Sequence, residues 1–77
     1  MRIVECGLYR MLEDRSFRGT ISIETWPVNK IFEVTQISNF NGNVIGPEFP
    51  DWQYPEIPCE KIGEGSLLWD AYFLFKS

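Results

Sequence analysis

The stretch IFEVTQISNFNGNVI, residues 31–45, decides the fold that this sequence predicts. Residues 31–40 are rich in β-branched and aromatic side chains, and Phe32 and Val34 fall on one face of an extended strand. The Asn41-Gly42 pair that follows favours a type I′ turn, because the twist of that turn matches the twist of the flanking strands. We therefore predict a β-hairpin formed by residues 33–40 and 43–45.

Two further strands are predicted before the hairpin. Residues 3–11 have a β-forming composition but are interrupted at Gly7, which is typical of a strand with a bulge or bend. Residues 20–26 alternate, with Ile21, Ile23 and Thr25 on one face and Ser22, Glu24 and Trp26 on the other. The charged residues 13–19 are expected to form a loop, and residues 27–30 a turn, because proline cannot donate to a ladder.

The last predicted element covers residues 67–76. As a strand it places Trp69, Ala71, Phe73 and Phe75 on one face and Leu68, Asp70, Tyr72, Leu74 and Lys76 on the other. A helix capped by Ser66 is the alternative, and the aromatic content favours the strand. Residues 46–58 are predicted to be an irregular loop. They hold four of the five prolines, which exclude a central strand or a helix.

About five short, closely connected strands indicate one mostly β domain spanning residues 1–77, a small barrel or sandwich. Closure would remove the exposed edges of so small a sheet. The segments WPVNKIFEVTQI (residues 26–37) and NGNVIGP (residues 41–47) resemble small SH3-like barrels, in which a turn leads into an x-F-x-V-x-x-I strand and a tight hairpin. The resemblance implies an SH3-like barrel of about five antiparallel strands with one long proline- and aromatic-rich loop.

The resemblance implies no ligand, because the chain lacks the aromatic cluster and acidic first loop of SH3 domains that bind proline-rich peptides. A short acidic chain of this kind also resembles, in style, the accessory proteins encoded by bacteriophages. Such proteins often bind and block one host enzyme or defence complex. Neither likeness assigns a site residue.

Charge and composition narrow the classes of function. The net charge is −4, whereas a protein that binds a phosphate backbone normally presents a basic stripe. Residues 40–77 hold six acidic and two basic side chains, so a partner that reads charge would meet the second half. No signal peptide and no apolar run of about 20 residues is present, so we expect a soluble cytoplasmic protein and no membrane partner.

Catalytic and metal-binding machinery is not predicted. The chain contains no histidine, which is the commonest general base and metal ligand. Its two cysteines, Cys6 and Cys59, lie too far apart in sequence to form a metal-ligand pair, and no glycine-rich phosphate loop occurs. We expect no enzyme activity, no cofactor and no metal. The cysteines are interpreted as small buried hydrophobic residues, with a disulfide or a reactive thiol as alternatives.

The main candidate site is the loop at residues 48–56. Rigid aromatic side chains with acidic neighbours are good interface anchors. The partner-binding residues predicted here are Glu48, Phe49, Asp51, Trp52, Tyr54 and Glu56. The alternative is a flap that closes one end of the barrel, with its acidic side chains merely solvated.

Two other sets of residues are candidates. The face formed by Leu68, Asp70, Tyr72 and Leu74 is apolar enough to be a homodimer or partner contact, unless other segments of the chain cover it. Arg10, Arg15 and Arg18 flank the first loop and could bind phosphate or carboxylate, although Glu13 and Asp14 favour a loop whose charges pair internally.

The function predicted from these features is protein binding. The leading hypothesis is a phage-type inhibitor that occludes a host protein of defence or nucleic-acid processing, in the host cytoplasm. One alternative is a small barrel that binds nucleic acid through aromatic stacking and Arg10, Arg15 and Arg18. Another is a structural subunit that self-associates through Leu68, Tyr72 and Leu74.

Overall fold

The computed structural model describes residues 1–65, which form seven short strands and no helix. The strands are β1 (Gly7–Met11), β2 (Arg15–Arg18), β3 (Ile23–Trp26), β4 (Ile31–Val34), β5 (Gln36–Ile37), β6 (Val44–Ile45) and β7 (Cys59–Gly63). They pair antiparallel in three sheets, ordered β4-β1-β7, β2-β3 and β5-β6. The predicted mostly β class is confirmed. The three ladders do not join into one closed barrel within these residues, and the SH3-like likeness stays a prediction.

Strand β1 is the centre of the largest sheet. It pairs with β4, where Gly7 lies opposite Val34, and with β7, where Met11 lies opposite Cys59. The register against β7 shifts between Leu8 and Tyr9, so the irregularity that Gly7 predicted is present. Both neighbours of β1 therefore come from distant parts of the chain.

The predicted hairpin is present, but its turn is wider than the Asn-Gly pair indicated. The hairpin ladder is formed by β5 and β6 around a six-residue loop, residues 38–43, whereas β4, on the other side of Thr35, pairs with β1. The prediction of a type I′ turn is wrong. Such a turn needs a positive φ at both central residues, and Gly42 has a φ of 77° whereas the φ of Asn41 is not positive. The Ser38 hydroxyl accepts hydrogen bonds from the amides of Phe40 and Asn41, so side-chain capping stabilises the longer loop.

The first hairpin also differs from expectation. Residues 15–18 were predicted as loop but form β2, and residues 20–22 were predicted as strand but form the turn before β3. The Gly19 amide donates to the Ser22 carbonyl at 2.7 Å, which places Thr20 and Ile21 at the tip. The strand is hard to recognise because only Phe17 in β2 is buried, and its other side chains are charged or polar.

Aromatic side chains fill the core between the sheets. The Trp26 ring lies 4.6 Å from the Phe17 centroid, 5.1 Å from that of Phe32 and 4.8 Å from that of Phe49. Tyr9 stacks on Phe32 from the central sheet, with centroids 5.7 Å apart. Offset and tilted ring pairs of this kind add roughly 0.5–1.5 kcal/mol each beyond the burial of apolar area. This cluster joins the β2–β3 hairpin to the central sheet.

Candidate functional site

The predicted irregular loop contains a segment, residues 51–57, that is tied to the rest of the fold by its backbone. The amide of Ile3 donates to Pro55 O at 3.0 Å, and the amide of Ile57 donates to Met1 O at 3.1 Å. Val44 and Gln53 exchange two backbone hydrogen bonds of 2.9 and 2.8 Å. Prolines prevent a continuous ladder and the backbone bends at Asp51 and Pro55, so the extended conformation is limited to the isolated bridges at Gln53 and Glu56.

Side chains alternate along this segment as they do along a strand. Pro55 and Ile57 are buried, whereas Trp52, Tyr54 and Glu56 are exposed. We call these three side chains the outward row. Trp52 is 41% exposed and Tyr54 is 64% exposed, so the row presents two large rings to solvent on a backbone that is already ordered.

Two arginines contact the outward row. The guanidinium of Arg2 lies over the Tyr54 ring, 5.7 Å from its centroid, and Arg15 Nη1 donates to Glu56 O at 3.0 Å. Pro55 O and the Ile57 amide face residues 1–3, whereas Glu56 O faces Arg15. Because successive carbonyls of an extended chain point to opposite edges, the two arginines lie on opposite edges of the segment. Neither guanidinium forms an ion pair within residues 1–65.

Three of the other predicted site residues are engaged inside the fold. Phe49 is only 7% exposed and packs against Phe17, Trp26 and Phe32, so its ring is part of the core. Glu48 Oε2 pairs with Lys30 Nζ at 2.6 Å. Asp51 accepts hydrogen bonds from Thr20 Oγ1 and from the amide of Trp52, and these two bonds lower the pKa of its carboxyl group. Of the six predicted residues, three form the outward row and Phe49 is buried, whereas Glu48 and Asp51 bond to other segments and Glu48 stays exposed.

The arginines that the sequence grouped together are not brought together. Arg10 donates two N–H groups to Glu60 Oε1 and one to Asn29 Oδ1. Arg15 and Arg18 are three positions apart in β2, which places their side chains on opposite faces. Of the three, Arg15 reaches the outward row, and the second arginine there is Arg2, because residues 1–3 pair with residues 55–57. No local pattern in the sequence signals that pairing.

The two most exposed large apolar side chains of residues 1–65 lie on two loops. Phe40, near the tip of the 38–43 loop, is 95% exposed, and Ile21 at the tip of the first hairpin is 96% exposed. Residues 18–23 of that hairpin line an open depression of about 460 Å³. The depression is bounded by one hairpin alone, and no charged cluster accompanies it.

The two cysteines have different environments. Both are free thiols; Cys59 is buried in the core and Cys6 is exposed, so the expectation that both are buried is wrong for Cys6. Desolvation by burial raises the pKa of Cys59 to about 11, and the ammonium of Met1 opposes this shift. Cys59 is therefore a protonated core residue at neutral pH.

Three further predictions concern the last strand, metal binding and membrane-spanning segments. The face formed by Leu68, Asp70, Tyr72 and Leu74 lies outside the described residues. Within residues 1–65 no group of three or more His, Cys, Asp or Glu side chains is arranged to hold a metal ion. In the same part of the chain, no helix has the length and apolar character needed to cross a bilayer. Comparison with protein-family models, curated proteins and solved structures found no match.

Proposed function

We propose that this chain is a protein-binding domain whose contact surface is centred on Trp52 and Tyr54. The observation that supports this proposal is the outward row itself. Trp, Tyr and Arg are the residue types in which binding energy is concentrated at protein interfaces, and all three occur together here. Two exposed aromatic rings on one face of an ordered segment are more than solubility requires.

Preorganisation of the row adds to the proposal. Binding must offset the loss of conformational freedom of the side chains and loops that become ordered. The backbone on both sides of Tyr54 is already bonded to Val44 and Ile3, so little of this cost remains for the segment. The rings each have two rotatable side-chain bonds, which keeps their ordering cost low.

The proposed mode of action is occlusion of a host protein. The resemblance in style to phage accessory proteins supports this mode, with a host protein of defence or nucleic-acid processing as the target. An inhibitor of this kind needs a contact surface and no chemistry of its own.

An affinity pull-down tests the proposal. The chain is immobilised, exposed to nuclease-treated bacterial lysate, and the bound proteins are identified by mass spectrometry. We expect one stoichiometric partner that Trp52→Ala weakens at least about 30-fold, since a buried aromatic anchor contributes about 2 kcal/mol or more. Ile62→Ala is the matched control, because Ile62 has the same 41% exposure as Trp52 but lies on β7. Unchanged capture by both Trp52→Ala and Tyr54→Ala, with the fold intact, would reject the site.

A second candidate function is the binding of single-stranded nucleic acid. The observation that favours it is the placement of Arg2 and Arg15 beside two exposed rings, which suits base stacking and phosphate contact. The separation of Arg10 and Arg18 from this surface and the net charge of −4 weigh against it. Absence of any mobility shift with single-stranded DNA or RNA at low salt would remove this candidate.

A further inference from the structure

We infer that the partner segment bound by the outward row is an extended acidic peptide, whose carboxylates pair with Arg2 and Arg15. The inference rests on the proposed protein-binding function and adds the chemistry of the partner. The acidic excess of residues 40–77 would by itself favour a basic partner, whereas the inference depends on the charges that the fold leaves unpaired beside the row.

The charges that remain available to a partner beside the outward row follow from the ion pairs within residues 1–65. Glu48 is paired with Lys30, and Asp51 is bonded to Thr20 and to the amide of Trp52. Within residues 1–65, Arg10, Lys30 and Lys61 all form ion pairs, whereas Arg2, Arg15 and Arg18 do not. Beside the two rings, the charges left unpaired within residues 1–65 are therefore the guanidinium groups of Arg2 and Arg15 and the carboxylate of Glu56, so the positive charges outnumber the negative one.

The geometry of these two guanidinium groups suits the binding of carboxylates. The Cζ atom of Arg2 lies over the Tyr54 ring, 5.7 Å from its centroid, and no ion pair within residues 1–65 uses its N–H groups, so they are available to a carboxylate. Arg15 uses Nη1 for Glu56 O and keeps further donors. Arginine presents five N–H groups in a fork that matches a carboxylate in two-point contact. A peptide lying along the row would meet one such fork at each edge.

The outward row suits an extended peptide better than a nucleic acid. Trp52 and Tyr54 are two residues apart, and alternate side chains of an extended peptide repeat about every 6.6–6.8 Å, so such a peptide can set one side chain against each ring. Glu56 contributes a carboxylate to the same row. It would repel the closely spaced phosphates of a nucleic acid, whereas a peptide can place an uncharged side chain there.

The binding test uses two synthetic decapeptides, one of alternating Glu and Ser and one of alternating Gln and Ser, and a decamer of thymidylate. Each is titrated to millimolar concentration into the isotopically labelled chain, and amide shifts are followed by NMR. We expect the Glu peptide to shift the amides of residues 2, 15, 52–54 and 56, and the Gln peptide to leave them unchanged. Equal shifts with both peptides, or shifts with the thymidylate decamer alone, would overturn the inference.

Charge-reversed variants complete the experiment. Arg2→Glu with Arg15→Glu should weaken binding of the Glu peptide and of the captured partner at least about tenfold. Arg18→Glu is the matched control, because Arg18 is also exposed and forms no ion pair with the described residues but lies on the other face of β2, and it should leave both unchanged. Should the double variant unfold, Arg2→Gln with Arg15→Gln replaces it. Capture that is lost in Trp52→Ala but kept in the arginine variants would overturn the inference alone, whereas capture kept in all of them would overturn the proposed function.

Discussion

Arg2 and Tyr54 form a cation–π pair between two segments that meet only in the folded chain. The guanidinium lies 5.7 Å from the ring centroid, and the backbone bridge between Arg2 and Glu56 holds it there. Exposed pairs of this type are worth about 0.5–1 kcal/mol. The pair therefore contributes modestly to stability and mainly orients two groups of the proposed surface.

A double-mutant cycle on this pair gives the first prediction. Arg2→Ala and Tyr54→Ala should each lower the free energy of unfolding by about 1 kcal/mol or less, with a coupling of roughly 0.5–1 kcal/mol. Urea denaturation followed by circular dichroism measures all four proteins. Strictly additive losses would mean that the stacked geometry has no energetic consequence.

Phe49 and Trp52 should respond in opposite ways to truncation. Phe49→Ala removes a ring from the aromatic cluster and should cost about 3–5 kcal/mol, close to the whole stability of a domain this small. Trp52→Ala removes an exposed ring and should cost less than about 1 kcal/mol. Thermal unfolding of both variants checks the difference. A larger loss in Trp52→Ala than in Phe49→Ala would contradict the assignment of Phe49 to the core.

Two glycines offer a matched comparison of sterics and backbone strain. A Cβ atom at Gly46 would overlap the carbonyl oxygen of Glu33, and backbone cannot move aside cheaply, so Gly46→Ala should prevent stable folding. A Cβ atom at Gly42 would meet Arg2 Nη2 at 3.9 Å, an ordinary contact, but φ there is 77°, so Gly42→Ala should cost only about 1–2 kcal/mol. Denaturant midpoints report both. Equal behaviour of the two variants would show that the approach of Gly46 to Glu33 is not required.

The cysteines should differ in reactivity at neutral pH. Iodoacetamide should modify the exposed Cys6 and leave the buried Cys59 unmodified in the native protein. Mass spectrometry of tryptic peptides identifies the labelled residue, and both should react in denaturant. Rapid native labelling of Cys59 would show that the core around it opens readily.

The burial of Cys59 also makes the stability of the fold depend on pH. The pKa of Cys59 is raised from its ordinary value of 9.0 to about 11, so between these values the folded state binds more protons than the unfolded state. The free energy of unfolding should therefore fall as pH rises from 9 to 11, and it should be unaffected by Cys59 below pH 9. Cys59→Ala should show a shallower decline. A decline of equal slope in both proteins would assign the effect to other groups, such as Tyr9, whose pKa burial also raises.

The parts of the fold that could be predicted from sequence are those with a local cause. The β composition of residues 31–37, the irregularity at Gly7 and the pairing of β5 with β6 all follow from nearby side chains. The width of the 38–43 loop does not, because Ser38 competes with the Asn-Gly pair by capping two amides. Strand β2 was missed because it buries one ring only.

The candidate site was predictable in part for the same reason. The alternation of prolines with aromatic and acidic residues marked the 48–56 loop correctly as distinctive. Sequence alone could not show which rings face outward, since that depends on Val44 and Ile3 bonding the backbone from one edge. Phe49 and Trp52 are similar in type, and only their distances to the Phe17–Trp26 cluster separate core from surface.

The position of β1 between β4 and β7 also constrains how the chain acquires its fold. Leu8 finds one neighbour at Glu33 and the other at Gly63, so the ladder cannot be completed until most of the polypeptide has been synthesised. Loops of this length must be closed before their contacts stabilise anything, and folding dominated by such pairings takes milliseconds to seconds. During synthesis the apolar side chains of β1 therefore stay uncovered for seconds, at a usual elongation rate of about 5–20 residues per second. The central sheet is thus the last part of residues 1–65 whose apolar side chains can be covered, because its third strand is the last of the described strands to be made.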